Sequence, residues 1–126
     1  MAVKHAQSPL APKTTPTLPR IAGVKLSAAA SGVRYQGRDD VMLAVMPAGA
    51  TIAGVLTKSK CSSGPVDWCK KNLPRGKARA ILVNAGNANA FTGKLGDKAV
   101  EESTRAVAQA LGCPRNEVFM ASTGVI

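Results

Sequence analysis

Aromatic side chains are almost missing from this sequence. Tyr35, Trp68, Phe91 and Phe119 are the whole set, 3% of 126 residues. A core must therefore be built from Val, Leu, Ile and Ala, and few rings are on hand to stack on nucleobases. Acidic residues are scarce as well, 7 against 17 Lys plus Arg, which leaves a net charge of +10. Such an excess invites a nucleic-acid or acidic-substrate reading. The cations are scattered, however, with no long basic run, so a solvated surface or a missing acidic complement explains them as well. Histidine occurs once, at His5 in an irregular stretch, and the three cysteines (Cys61, Cys69, Cys113) form no CxxC pair. No zinc site can be assembled from that set. An odd cysteine count is expected of reduced thiols in a cytoplasmic protein, with Cys69 on the inner face of a helix. No apolar run reaches the roughly 18 residues of a membrane span, and no signal-peptide core is visible near the N-terminus.

What is present has an order. Residues 1–20 hold four of the eight prolines, Pro9, Pro12, Pro16 and Pro19, and read as an extended arm. Residues 21–126 read as one α/β domain. Strands are expected near 21–29, 33–36, 41–46, 51–57, 78–83 and 117–122, separated by Gly, Pro and Asp turns. "SSGPVDWCKKNLP" predicts a helix, with Pro65 at its first position, Val66, Cys69 and Leu73 on one face and Pro74 after its end. A longer helix is predicted from Lys94 to Leu111, with Val100, Thr104, Val107, Ala108 and Leu111 inward and Gly112 and Pro114 stopping it. The chain ends at Ile126 just after a strand, an unusual place for a domain to stop, so the domain is expected to continue beyond it.

Two stretches carry candidate chemistry. "NAGNANAFTG" (84–93) packs three Asn and two Gly behind the apolar run "ARAILV". Both residue types tolerate left-handed backbone, and Asn bonds to nearby main chain, so Asn84, Gly86, Asn87 and Asn89 are expected to form a rigid loop. A phosphate-loop reading fails, because six residues separate Gly86 from Gly93 and Leu95 follows Lys94. "STGVI" (122–126) sets a Thr hydroxyl beside a Gly N–H, a pair able to hold a developing oxyanion; a plain turn after a strand is the alternative.

"NAGNANAFTG" and "ASTGVI", one helix apart, resemble the ornithine acetyltransferase family (glutamate N-acetyltransferase). So do "IAGVKLSAAASGVRYQGRDD", "GATIAGVLTKSKCSSGPVDWC" and "GKARAILVNAGNANAFTG". The resemblance runs in register from about Ser8 to Ile126. It implies an α/β fold of mixed β-sheets with packed helices, the N-terminal portion of a self-processing, N-terminal-nucleophile-type acetyltransferase. It implies transfer of acetyl from N2-acetylornithine to glutamate by a ping-pong route, with acetyl-CoA a possible second donor and no other cofactor or metal. It implies a precursor cut at an Ala-Thr bond, a β chain whose N-terminal Thr is the nucleophile, an α2β2 assembly and a cytoplasmic location, with neither nucleic acid nor membrane as partner. Thr123 and Gly124 match the family's oxyanion hole. The cleavage motif and nucleophile have no match here, since Ala50–Thr51 aligns with an early strand, and this chain alone is expected to be inactive. A non-catalytic assembly module, a basic nucleic-acid binder and a related amidase-like enzyme are the competing readings.

Overall fold

The computed structural model describes residues 8–126 of the protein. His5 and the first part of the proline-rich arm lie outside the described residues; residues 8–20 carry turns but no helix or strand. The element order is β1 (Lys25–Ala29), β2 (Val41–Val45), α1 (Gly64–Asn72), β3 (Ala80–Asn87), α2 (Gly93–Leu111) and β4 (Val118–Val125). Short 3-10 turns, Leu73–Arg75 and Arg115–Glu117, follow the two helices. The strands form one mixed sheet in the order β1-β2-β3-β4. The first three are mutually antiparallel, and β4 runs parallel to β3 after the α2 crossover.

The core is small-residue, as the lack of aromatics requires. Ala80 and Val118 on the sheet meet Ala108 of α2, with Leu43, Val107, Leu111 and Cys113 packed around them. Helix α2 buries Val100, Thr104 and Ala108 along one stripe. Thr104 has no exposure, and its hydroxyl is satisfied by donating to Val100 O at 2.7 Å. Glu101 on the outer face pairs with Arg105 and with Arg115, the latter at 3.2 Å.

Helix α1 covers the outer edge of β4. The Trp68 indole N–H donates to Val118 O at 2.8 Å, and the Cys69 thiol to Met120 O at 3.3 Å. A guanidinium from Arg115 lies over the Trp68 ring, 4.5 Å from its centre. Two side chains thus do what a neighbouring strand would have done for this stretch of edge.

Several expected elements differ. The first strand begins at Lys25 rather than residue 21. Residues 33–36 form no strand: the Val33 N–H is taken by the Asp40 carboxylate, and the segment bends instead. Residues 51–57 form no strand: both sides of β2 are already taken by β1 and β3, and Thr51 makes only an isolated bridge to Lys77. Pro65 is the second residue of α1, which ends at Asn72, so Leu73 falls in the 3-10 turn with Pro74 beyond the helix as expected. β3 continues four residues into the Asn/Gly stretch, to Asn87, and the Thr-Gly pair lies within β4 rather than in a turn.

Replacing Trp68 with Phe keeps most of the ring but leaves the carbonyl of fully buried Val118 without its donor. The expected cost is ~1–3 kcal/mol, read as a lower urea midpoint at unchanged slope.

Candidate active site

The parallel pair β3–β4 holds the candidate residues except Asn89, which follows β3. In register, Asn84 faces Ser122, Ala85 faces Thr123, Gly86 faces Gly124 and Asn87 faces Val125. The ladder ends with Ala88 N–H donating to Val125 O at 3.0 Å. Backbone polarity alternates along a pleated strand, so Val118, Met120, Ser122 and Gly124 direct their main-chain groups away from β3. The α1 contacts to Val118 O and Met120 O follow that alternation. Beyond them, the main chain at Ser122 and Gly124 faces outward past the reach of those two α1 donors. Thr123 is exposed, and among the described residues its hydroxyl makes no hydrogen bond.

Gly86 and Gly124 adopt φ +114° and +133°, angles that side chains rarely allow. Space excludes side chains there as well. A Cβ on Gly124 would overlap the backbone of Gly86. A Cβ on Gly86 would come within 2.8 Å of the Arg34 Cβ. The two strands and the β1–β2 loop therefore meet at a point with no side chain between the strands.

The asparagines spend their amides locally. Asn84 accepts from the Ser122 hydroxyl at 2.6 Å and donates to Asn87 O at 3.1 Å, tying β4 to the end of β3. Asn87 Oδ1 accepts from Asn89 N–H at 2.6 Å. Asn89, in left-handed backbone at φ +51°, is buried; it donates to Gly96 O at 3.1 Å and accepts from the Thr92 hydroxyl. The stretch is thereby fastened to the first turns of α2.

A cleft of about 510 Å³ opens beside this loop. Leu82 and Met120 lie on its sheet side, Leu95 and Ala99 on its helix side, and Asn84 and Ser122 supply polar groups. Thr123 and Gly124 do not line it.

Asp40 escaped the sequence reading, where the pair Asp39–Asp40 served only as punctuation. It is 3% exposed. Its carboxylate accepts from Ser31 N–H at 2.6 Å, Ser31 Oγ at 2.9 Å and Val33 N–H at 2.8 Å. The donation from Ser31 N–H, helped by the other two, holds this carboxyl below the usual carboxylate range against the opposing effect of burial. An acid at the entrance of an apolar strand was the only trace of this clamp in the sequence. Burial pushes the Cys69 and Cys113 thiols up, which keeps both protonated and weak as nucleophiles. Among the described residues no cluster of His, Cys, Asp and Glu could hold a metal ion.

Solved structures share this fold. The structure is similar to the ornithine acetyltransferase of Mycobacterium tuberculosis solved with ornithine, at 35% identity and a TM-score of 0.76, over 83% of this chain and 57% of that one. It is similar to the arginine biosynthesis bifunctional protein ArgJ of Bacillus halodurans at 34% identity and a TM-score of 0.74, over 83% and 55%. In sequence, 119 residues are 58% identical to the arginine biosynthesis bifunctional protein ArgJ of Bradyrhizobium diazoefficiens, 94% of this chain and 29% of that protein. The Gluconobacter oxydans protein of the same name is 56% identical over 126 residues, 100% of this chain and 30% of its own length. The ArgJ family model matches residues 25–126. The chain belongs to the ArgJ family, and it spans about three tenths of the length of these curated relatives.

Two outcomes follow from the geometry. Gly86→Val adds a side chain against Arg34 and at a disfavoured φ, so it should lower stability by more than ~1–3 kcal/mol of backbone strain alone, measured by thermal unfolding. For Asp40, the folded-state carboxyl lies below its unfolded value of about 3.9. Its stabilisation is therefore complete above that value and is lost as the pH falls through the lower folded value. The melting temperatures of the parent and Asp40→Asn should differ most above pH ~5 and converge in acid.

Proposed function

We propose that this chain supplies the oxyanion side of a glutamate N-acetyltransferase that moves acetyl from N2-acetylornithine to glutamate. In this reading the N-terminal Thr of a β chain, cut from the same precursor, attacks the acetyl carbonyl carbon. The oxygen of the tetrahedral intermediate accepts from the Thr123 hydroxyl and the Gly124 N–H. Collapse breaks the C–N bond, the proton passes to the departing amine, and ornithine leaves an acetyl ester on the enzyme. The amine of glutamate then attacks that ester, and the Thr hydroxyl is restored as N-acetylglutamate departs. Acetylation of glutamate from acetyl-CoA, an α2β2 assembly of the two chains and a cytoplasmic location belong to the same proposal.

One observation carries it. Thr123 and Gly124 sit next to each other on β4, with the hydroxyl making no hydrogen bond among the described residues and the alternation of the strand turning the Gly124 main chain away from β3. Two adjacent donors that no internal partner consumes are what charge stabilisation at that edge requires, because a donor already spent inside the fold cannot strengthen as the oxyanion forms. The names of the relatives, arginine biosynthesis bifunctional protein and ornithine acetyltransferase, supply the substrate class. Among the described residues no helix is long and apolar enough to cross a membrane.

Thr123→Val in a full-length protein carrying this segment removes the hydroxyl and keeps the shape. With activity scored per cleaved molecule, kcat and kcat/KM should fall together by roughly 10²–10³ with little change in KM. Thr123→Ser should retain much of the rate. A cleaved Val variant turning over at the parent rate would remove Thr123 from the oxyanion hole.

A further inference from the structure

The β1–β2 loop is built against the candidate oxyanion donors, and it is held there by one buried acid. Its segment 31–33 is gathered by the Asp40 carboxylate through Ser31 N–H (2.6 Å), Ser31 Oγ (2.9 Å) and Val33 N–H (2.8 Å). Asp40 N–H donates in turn to Ala29 O at 3.0 Å, and Asp40 O accepts from Ala85 N–H at 2.7 Å. The clamp is thus bonded to β3 one residue before Gly86. The next loop residue, Arg34, rests on Gly86 itself: its Cβ lies 2.8 Å and its backbone N 3.5 Å from where a Gly86 Cβ would stand. On the other side of Gly86 lies Gly124, close enough that a Cβ there would overlap the Gly86 carbonyl carbon and the Asn87 nitrogen. An unbroken line of contacts runs from Asp40 through Ser31, Val33, Arg34 and Gly86 to Gly124.

We infer that Asp40 is a positioning residue for the oxyanion hole: by locking loop 31–34 onto Gly86, it fixes the path of the Gly124 backbone and so the direction of the Gly124 N–H. The inference rests on the function proposed above. Its physical basis is that both glycines are free to rotate unless something holds them. Gly124 has no side chain to wedge it, and where its Cβ would stand it meets only the backbone of Gly86 and Asn87. A donor that wanders by 1 Å loses most of its value at the transition state, since the charge appears at one place only. The clamp supplies the missing rigidity from behind the sheet, at a distance from substrate.

The acetyl-enzyme gives a direct readout. Hydrogen bonding from an oxyanion hole lowers the stretching frequency of the ester carbonyl, which isotope-edited infrared spectroscopy resolves when N2-acetylornithine carrying a 13C-labelled acetyl carbonyl is added without glutamate. In full-length, cleaved enzyme, Asp40→Asn should move that band to higher frequency and lower kcat at least tenfold, with the KM for N2-acetylornithine within about twofold. Should Asp40→Asn fail to fold, the pair Arg34→Gly and Arg34→Ala tests the same line of contact. Both keep the clamp, but only the first removes the Cβ that rests on Gly86, so its band should lie further from the parent's than that of Arg34→Ala. A folded, cleaved Asp40→Asn enzyme with an unmoved band, or Arg34→Gly and Arg34→Ala bands that coincide, would overturn the positioning role. A parent enzyme that forms no acetyl ester at all would instead refute the acetyltransferase reading.

Discussion

The candidate site depends on two backbones meeting with no side chain between them. β3 and β4 meet at Gly86 and Gly124: the Gly86 backbone fills the space a Gly124 Cβ would need, and Arg34 fills the space of a Gly86 Cβ. Around this contact the other features arrange themselves. Asn84 and Ser122 close the pair from one direction, and the Asn87–Asn89 turn leads the chain away into α2. The β1–β2 loop presses on it from outside, with a buried carboxylate as its fastening. A parallel strand pair is ordinarily featureless from the standpoint of chemistry; here its last residues turn main-chain donors to solvent.

The edge of β4 is treated in two ways along one strand. Its first part is closed by α1, whose indole and thiol groups occupy the outward carbonyls of Val118 and Met120. Its second part, from Ser122 onward, extends beyond those contacts. Exposed strand edges invite pairing with other chains, so an open stretch on an otherwise covered edge calls for a reason. The acetyl-transfer reading provides one, because an oxyanion hole needs main-chain donors that the fold itself has not consumed.

Legibility in the sequence followed the kind of interaction. The 3.6-residue stripe of α2 is repetitive and local, and its buried residues Val100, Thr104 and Ala108 are those the spacing picks out. The apolar run from residue 78 marks β3, and the Thr-Gly pair is visible as a hydroxyl next to an unhindered N–H. The strand expected at 51–57 failed for a non-local reason: a strand needs a neighbour, and this stretch finds only the isolated bridge from Thr51 to Lys77. The expected strand at 33–36 failed because Asp40 takes up the N–H groups of Ser31 and Val33. The reach of β3 into the Asn/Gly stretch was hidden for a third reason. Turn-forming residues argue against a strand on average, whereas here they are what lets two strands come this close.

The Gly86–Gly124 contact also constrains how this protein can change over time. The Gly86 backbone excludes a side chain at Gly124, Arg34 excludes one at Gly86, and each glycine also requires a backbone angle that only glycine accepts readily. A single substitution at either therefore meets a steric wall and a conformational one together; at Gly124 the wall is backbone and no compensating change removes it, whereas at Gly86 a smaller residue 34 would ease the clash but leave the backbone angle. Arg34 is in a different position, since any residue with a Cβ can rest on Gly86 in the same way. Variation is thus open along the outer face of the loop and closed at the crossing beneath it, which makes the loop the part of this site where sequence can drift, or be engineered, without dismantling the strands.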